Sequence, residues 1–152
     1  MDSRWIAVSV PVVTVVVLDD QLTKSVAAHA GLIAHNPAYA LGVVGGPARL
    51  LILGTVLVMV AFIAFLARPA VALGGSPIAP ALIVGGMLGN AIDRFRLGAA
   101  RDFLTTPWAT INLADIAVAT GIVAFVLAIG WRAYQIHLTL SRRPARAHYP
   151  NA

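Results

Sequence analysis

The sequence predicts an all-α membrane protein with four transmembrane helices, on three observations. Of its 152 residues, 59% are hydrophobic and 11% charged, against about 45–50% and about 25% in soluble domains. Mean hydropathy is +0.85. Such a chain cannot cover a water-facing surface, which excludes a soluble globule, a disordered chain and a coiled coil. Four apolar stretches approach the roughly 20 residues that a spanning helix needs. The charged residues collect at the ends of those stretches and in the C-terminal tail. The formal charge of +5 and pI near 10.8 therefore fit an anionic membrane surface, not nucleic acid.

The expected spans are residues 5–24, 49–67, 77–95 and 111–136. They form one domain, 1–140, followed by a basic cytoplasmic tail, 141–152. The first runs uncharged from Trp5 to Leu18, then meets Asp19, Asp20 and Lys24. The second is uninterrupted between Arg49 and Arg68. The third is rich in glycine and ends in Asn90, Asp93 and Arg94; the fourth opens with Asn112 and Asp115. Trp5, Trp108, Trp131 and Tyr134 lie near span ends, where aromatic belts sit. Arg4, the first apolar run and Ala28-His29-Ala30 also fit a cleavable leader. Against that, Asp19, Asp20, Gln21 and Lys24 part the apolar run from the triplet.

Four spans put both termini on one side. Arg4, Arg68, Arg132, Arg142, Arg143 and Arg146 favour an inside position for that side, while Lys24, Arg49, Arg94, Arg96 and Arg101 oppose it. The expectation is N-in and C-in. The polar ends of spans one, three and four then share one depth near the outer face, with Asp102 in the loop between three and four. Asn90 with Asp93, Asn112 with Asp115, and Asp20 with Lys24 have the spacing of residues on one helix face. Intramembrane charge is costly, so such a cluster is a functional-site hypothesis.

Plainer roles compete with it. Asp20 and Lys24 fit an interfacial ion pair with Lys24 snorkelling. Gly85, Gly86 and Gly89 fit close helix packing. Arg96 and Arg101 read as solvated loop charges or headgroup contacts. His29, His35, His137 and His148 have no metal-site spacing, so no metal or other cofactor is expected. There is no cysteine, and neither Ser25 nor Ser76 has an evident histidine partner. Paired aspartates remain. Two close carboxyls share one proton, so one can activate water while the other polarises a carbonyl.

These residues resemble the bacterial lipoprotein signal peptidases, the type II signal peptidases. Gly85-Gly86-Met87-Leu88-Gly89-Asn90-Ala91-Ile92-Asp93-Arg94 is similar to the family's GG-x-x-GN-x-x-DR. Asp102-Phe103 resembles VxDF, Asn112-Leu113-Ala114-Asp115 resembles FNxAD, and Asp20-Gln21-Leu22-Thr23-Lys24 resembles DQxTK. Asn36-Pro37-Ala38-Tyr39-Ala40-Leu41-Gly42 is a degraded NxGxAFG. The resemblance implies a four-helix membrane bundle with a small extracytoplasmic β-cradle from the first outer loop, about residues 26–47, and a flap between spans three and four. It implies an aspartic endopeptidase that removes the signal peptide of prolipoproteins ahead of a diacylglycerol-modified cysteine. Asp102 and Asp115 would be the catalytic dyad. Asp20, Lys24, Asn36, Asn90, Asp93, Arg94 and Asn112 would be support or substrate-binding residues. The expected location is the bacterial cytoplasmic membrane with the active site outside. The expected partners are lipid-modified prolipoproteins and membrane lipid, with the chain acting as a monomer.

Departures from the family pattern are Pro37 and Ala38 after Asn36, Leu41 for an aromatic, Ala100 for Val and Ile111 for Phe. The 13 positions from Asp102 to Asp115 imply a reduced flap. The competing class is a non-enzymatic homologue, a catalytically weak or inactive membrane binding or assembly protein.

Overall fold

In a bilayer each backbone N–H and C=O must find an internal partner, and an apolar stretch meets that demand as a helix. The computed structural model describes residues 3–37 and 47–141. Helix α1 is Ser3–His29, strand β1 Ala34–Asn36 and helix α2 Ala48–Phe62. The helical path continues through a π-turn, Ile63–Ala67, into α3, Arg68–Ala72. Then follow α4 (Ile78–Leu97), β2 (Ala100–Asp102), β3 (Leu104–Thr105), β4 (Thr110–Ile111) and α5 (Leu113–Ser141). The basic tail with Arg142, Arg143, Arg146 and His148 lies outside the described residues. So does Ala38–Gly42 of the degraded motif.

Among the described residues, three helical segments are long and apolar enough to cross a membrane: Trp5–His29, Arg49–Ala72 and Leu113–Ser141. Helix α4 has the length, 20 residues, but its glycines and its Asn90, Asp93 and Arg94 dilute its apolar character. Three span limits shift from expectation. Helix α1 runs on past Lys24 to His29. The second stays helical past Arg68, which is exposed. The last begins at Leu113 because Ile111 belongs to β4. Side chains such as Leu18, Leu22, Leu57, Val126 and Leu127 are more than 60% exposed, as lipid-facing residues should be.

Helix α4 is the centre of the bundle, packed against α1, α2 and α5. Its small residues permit this. A Cβ on Gly85 would fall 2.9 Å from Val16 Cβ of α1, and one on Gly86 2.7 Å from Val118 Cγ2 of α5. Gly121 of α5 answers from the other side, against Ile83 and the Ala79 carbonyl. Close packing is therefore the role of Gly85 and Gly86. Gly89 does more: a Cβ there would lie 2.6 Å from Asp20 Oδ2, so its hydrogen makes room for a carboxylate. Near the other end, Phe125 of α5 meets Phe62 of α2 edge-on at 5.5 Å.

The polar end is closed by short strands. Gly98, at φ +77°, stops α4 and turns the chain into β2. Strand β2 pairs antiparallel with β1, in the register Ala34↔Asp102, His35↔Arg101 and Asn36↔Ala100. The expected β-cradle of the first outer loop is thus shared between two loops, and residues 26–29 belong to α1 instead. A hairpin, β3–β4, occupies the expected flap position. Its tip is held by Thr106, whose Oγ1 accepts from Ala109 N–H at 3.0 Å.

Packing at α4 gives a direct test. Gly86→Ala drives a methyl into the Ala114 carbonyl of α5, and overpacking of this kind costs about 1–3 kcal/mol. Gly54→Ala on α2 meets nothing within 4 Å and gains helix propensity of up to about 1 kcal/mol. Thermal unfolding in detergent should fall for the first variant and hold or rise for the second. Equal behaviour would remove the packing role.

Candidate active site

Helix α1 offers Asp20 and Lys24 one turn apart, and both are fully buried. Lys24 is therefore not a snorkelling interfacial residue. Its Nζ donates to Asp20 Oδ2 at 2.8 Å and Asn90 Oδ1 at 2.9 Å, and lies 3.1 Å from Asp93 Oδ2. An ammonium has three protons to place, and here each has an acceptor. Asp20 Oδ1 accepts the Ala114 N–H at 3.0 Å, so a carboxylate of α1 also satisfies an orphan donor in the first turn of α5.

Asn112 and Asp115 close a reciprocal cap on α5. Asn112 N–H donates to Asp115 Oδ2 at 3.2 Å, and Asp115 N–H donates to Asn112 Oδ1 at 3.0 Å. Asn112 precedes the helix, so the spacing of three reflects a capping box rather than a shared helix face. The cap leaves the Asn112 amide free to donate to Asp102 Oδ1 at 2.5 Å and Asn90 Oδ1 at 2.9 Å. Asn90 Nδ2 donates to Asp115 Oδ1 at 2.8 Å. Asn36 of β1 donates to the other Asp102 oxygen at 2.9 Å. All nine expected site residues meet in one region. Arg94 enters by its Nη1, 3.4 Å from the Asn90 carbonyl.

Two further residues belong to it. Gln21 Nε2 lies within 3.2 Å of Asp20 Oδ2, the Gly89 carbonyl and Asp93 Oδ1. Arg101 is not a solvated loop charge: its Nη2 is 2.7 Å from Asp93 Oδ1 and 3.0 Å from Gln21 Oε1. Arg96 is exposed, as read from the sequence. Gln21 lies inside the Asp20–Lys24 element, and Arg101 stands beside Asp102, so adjacency was the available signal.

Electrostatics sets the protonation. Around the site, Asp20, Asp93, Asp102 and Asp115 face Lys24, Arg94 and Arg101, an excess of one negative charge that a single proton removes. Asp102 is 1% exposed. Burial holds its pKa above the ordinary carboxylate value, and the nearby Asp115 charge adds to this against the Asn36 and Asn112 donors and Lys24. The half-buried Asp115 and Asp102 both border a cavity of about 670 Å³. Its walls are apolar, from Leu51 and Val58 of α2, Met87 of α4 and Val118 and Ile122 of α5. Two carboxyls and an apolar cleft suit an extended chain that arrives from lipid.

Known proteins share this pattern. The family model described as "Signal peptidase (SPase) II" matches residues 12–131. A lipoprotein signal peptidase of Moorella thermoacetica is 37% identical over 95 residues, 59% of this chain and 60% of that one. One of Nitrobacter hamburgensis is 44% identical over 54 residues, 30% of this chain and 33% of that one. The chain thus matches a third to three fifths of the length of these curated relatives. A bacterial membrane enzyme solved by the in meso method at 2.3 Å shares the fold, with a TM-score of 0.71 at 22% identity over 93% of this chain and 95% of that one. Sequence match and bundle together identify the chain as a member of the signal peptidase II family.

Proposed function

We propose that this multi-pass membrane protein is an aspartic endopeptidase that removes the signal peptide from diacylglyceryl-modified prolipoproteins. The observation that carries the reading is the pairing of Asp102 and Asp115 through Asn112 and Asn90, at the mouth of an apolar cleft between α2 and α5. Asp102 keeps its proton and donates a hydrogen bond to the scissile carbonyl. Ionised Asp115 takes a proton from water, whose oxygen attacks the carbonyl carbon. The tetrahedral intermediate collapses as Asp115 passes that proton to the leaving nitrogen, and the proton on Asp102 is again shared across the pair. Arg94, Asn36 and Asn90 supply donors for the backbone of a peptide that leaves water. Both carboxyls face the cleft, which supports the enzymatic reading over an inactive binding protein.

Helix α4 acts as a fourth span, with its charged end at the outer surface. Both termini lie in the cytoplasm, and the dyad opens on the outer side of the bacterial cytoplasmic membrane. The unit acts as a monomer among membrane lipids, as one peptidase domain over residues 1–140 with a basic cytoplasmic tail, 141–152. The C-terminal arginines support that orientation. A reporter fused after Ala152 should behave as cytoplasmic, and one inserted near Ala30 as external. The opposite pattern would turn the cluster to the cytoplasmic face and end the reading.

Cleavage of a lipidated prolipoprotein by the purified protein in detergent tests the activity. Asp102→Asn and Asp115→Asn should each lower turnover by at least about 10³-fold, the scale for losing a reacting group. The sign for stability differs. Because the folded chain raises the pKa of Asp102, stability falls as pH climbs from the ordinary carboxylate value to the raised one. Asp102→Asn relieves that loss but sets an amide against one of two amide donors. Its Tm at pH 7 should stay within about 4 °C of wild type, roughly 1 kcal/mol. Full activity in either variant would overturn the dyad.

A further inference from the structure

Strand β2 has three residues and one equally short partner. Such a ladder has little stability of its own, yet it carries Asp102. Strand alternation turns Asp102 and Arg101 to opposite faces. Asp102 faces the cleft, while Arg101 reaches the polar ends of α1 and α4. Its backbone N–H donates to Asp93 Oδ2 at 3.0 Å, and its Nε and Nη2 donate to Asp93 Oδ1 at 3.2 and 2.7 Å. One residue thus engages both oxygens of a fully buried carboxylate, with Gln21 bracing the guanidinium. Lys24, which also pairs with Asp20, shares the neutralising of Asp93 with Arg101. What the clasp adds is the height and rotation of β2.

We infer that Arg101 is a positioning residue, which clasps Asp93 with its backbone and guanidinium together and so sets the distance of Asp102 from Asp115. The inference rests on the peptidase reading for its kinetic consequence but not for its geometry. Asp93 serves both halves of the pair. Through Arg101 it holds the strand of Asp102; through Lys24 and Asn90 it reaches Asp115. With the clasp cut, the carboxyls separate and share a proton less well. The charged or titratable groups around Asp102 are Asp20 and Lys24 on α1, Asp93 and Arg94 on α4, Asp115 on α5 and Arg101 itself. His35 on β1 stands across the ladder from Arg101 and is exposed. Arg101→Lys leaves all of these charges unchanged, so the spacing of its steps reads movement of the pair, whereas Arg101→Met also removes one positive charge.

Arg101→Met and Arg101→Lys test this in purified full-length protein. Without substrate, carboxyl infrared absorption is followed against pH, each spectrum taken as a difference from the matching Asp102→Asn variant. In wild type the dyad should titrate in two separated steps that belong to the pair. In Arg101→Met the steps should draw together. Arg101→Lys keeps the charge but not the planar fork and should fall between. With lipidated prolipoprotein, Arg101→Met should lose about 10²-fold in kcat, the scale of a misplaced reacting group. KM should hold within about twofold, and the bell-shaped pH profile should narrow. Two separated steps of wild-type spacing in folded Arg101→Met would overturn the inference, as would a rate loss with an unchanged profile. If Arg101→Met does not fold, Arg101→Lys decides alone: a narrower profile supports positioning, an unchanged one rejects it. Steps that converge in a protein that never cleaves would keep the clasp and reject the peptidase reading.

Discussion

The structure depends on one buried ammonium. Lys24 sits at 0% exposure between two aspartates, with Asn90 as its third acceptor. Removing a cation from water costs several kcal/mol, and close ion partners with satisfied protons repay it. Because Asp20 comes from α1, Asp93 and Asn90 from α4, and Ala114 N–H of α5 also rests on Asp20, one charge fixes three helices at one depth. The rest of the polar cluster is built on that layer. The capping box of α5 places Asp115, the Asn112 amide reaches Asp102, and Arg101 ties the strand of Asp102 to Asp93.

The rest of the bundle is arranged so that this layer can exist in lipid. The glycines of α4 let α1 and α5 approach until side chains from three helices meet. Gly89 shows the link between packing and electrostatics, since its missing side chain is filled by the Asp20 carboxylate. On the far side, α2 stands off from α5 and leaves the apolar cleft. The one excess negative charge of the cluster favours the retention of a single proton among its carboxyls.

Much of this was legible in the sequence, where local rules apply. Apolar runs marked the helices, and the placement of Asn90, Asp93, Asn112 and Asp115 at run ends marked the depth of the site. The motif order tied those residues to one family. Reading failed where the partner is distant or where one spacing has two meanings. Asn112 and Asp115 are three apart both on a helix face and in a capping box, and only the strand before Leu113 distinguishes them. Arg101 resembled a loop charge because its partner, Asp93, lies across the turn at Gly98. Lys24 resembled a snorkelling residue because its second acid comes from another helix. The pairing of β1 with β2 joins chain segments more than 60 residues apart, beyond the reach of any local pattern.

Lys24→Met tests the central claim most directly, because it keeps the aliphatic length and removes only the charge. Asp20 then loses the cation paired with it, and breaking a buried pair in this way costs about 3–5 kcal/mol. Thermal unfolding of the purified variant in detergent should shift down by about 6 °C or more, given roughly 2–4 °C per kcal/mol in a chain of this size. Cleavage should fall with it even where the protein remains folded, since the tie from Asp93 through Asn90 to Asp115 is gone. A Lys24→Met protein with the Tm and turnover of wild type would contradict the account.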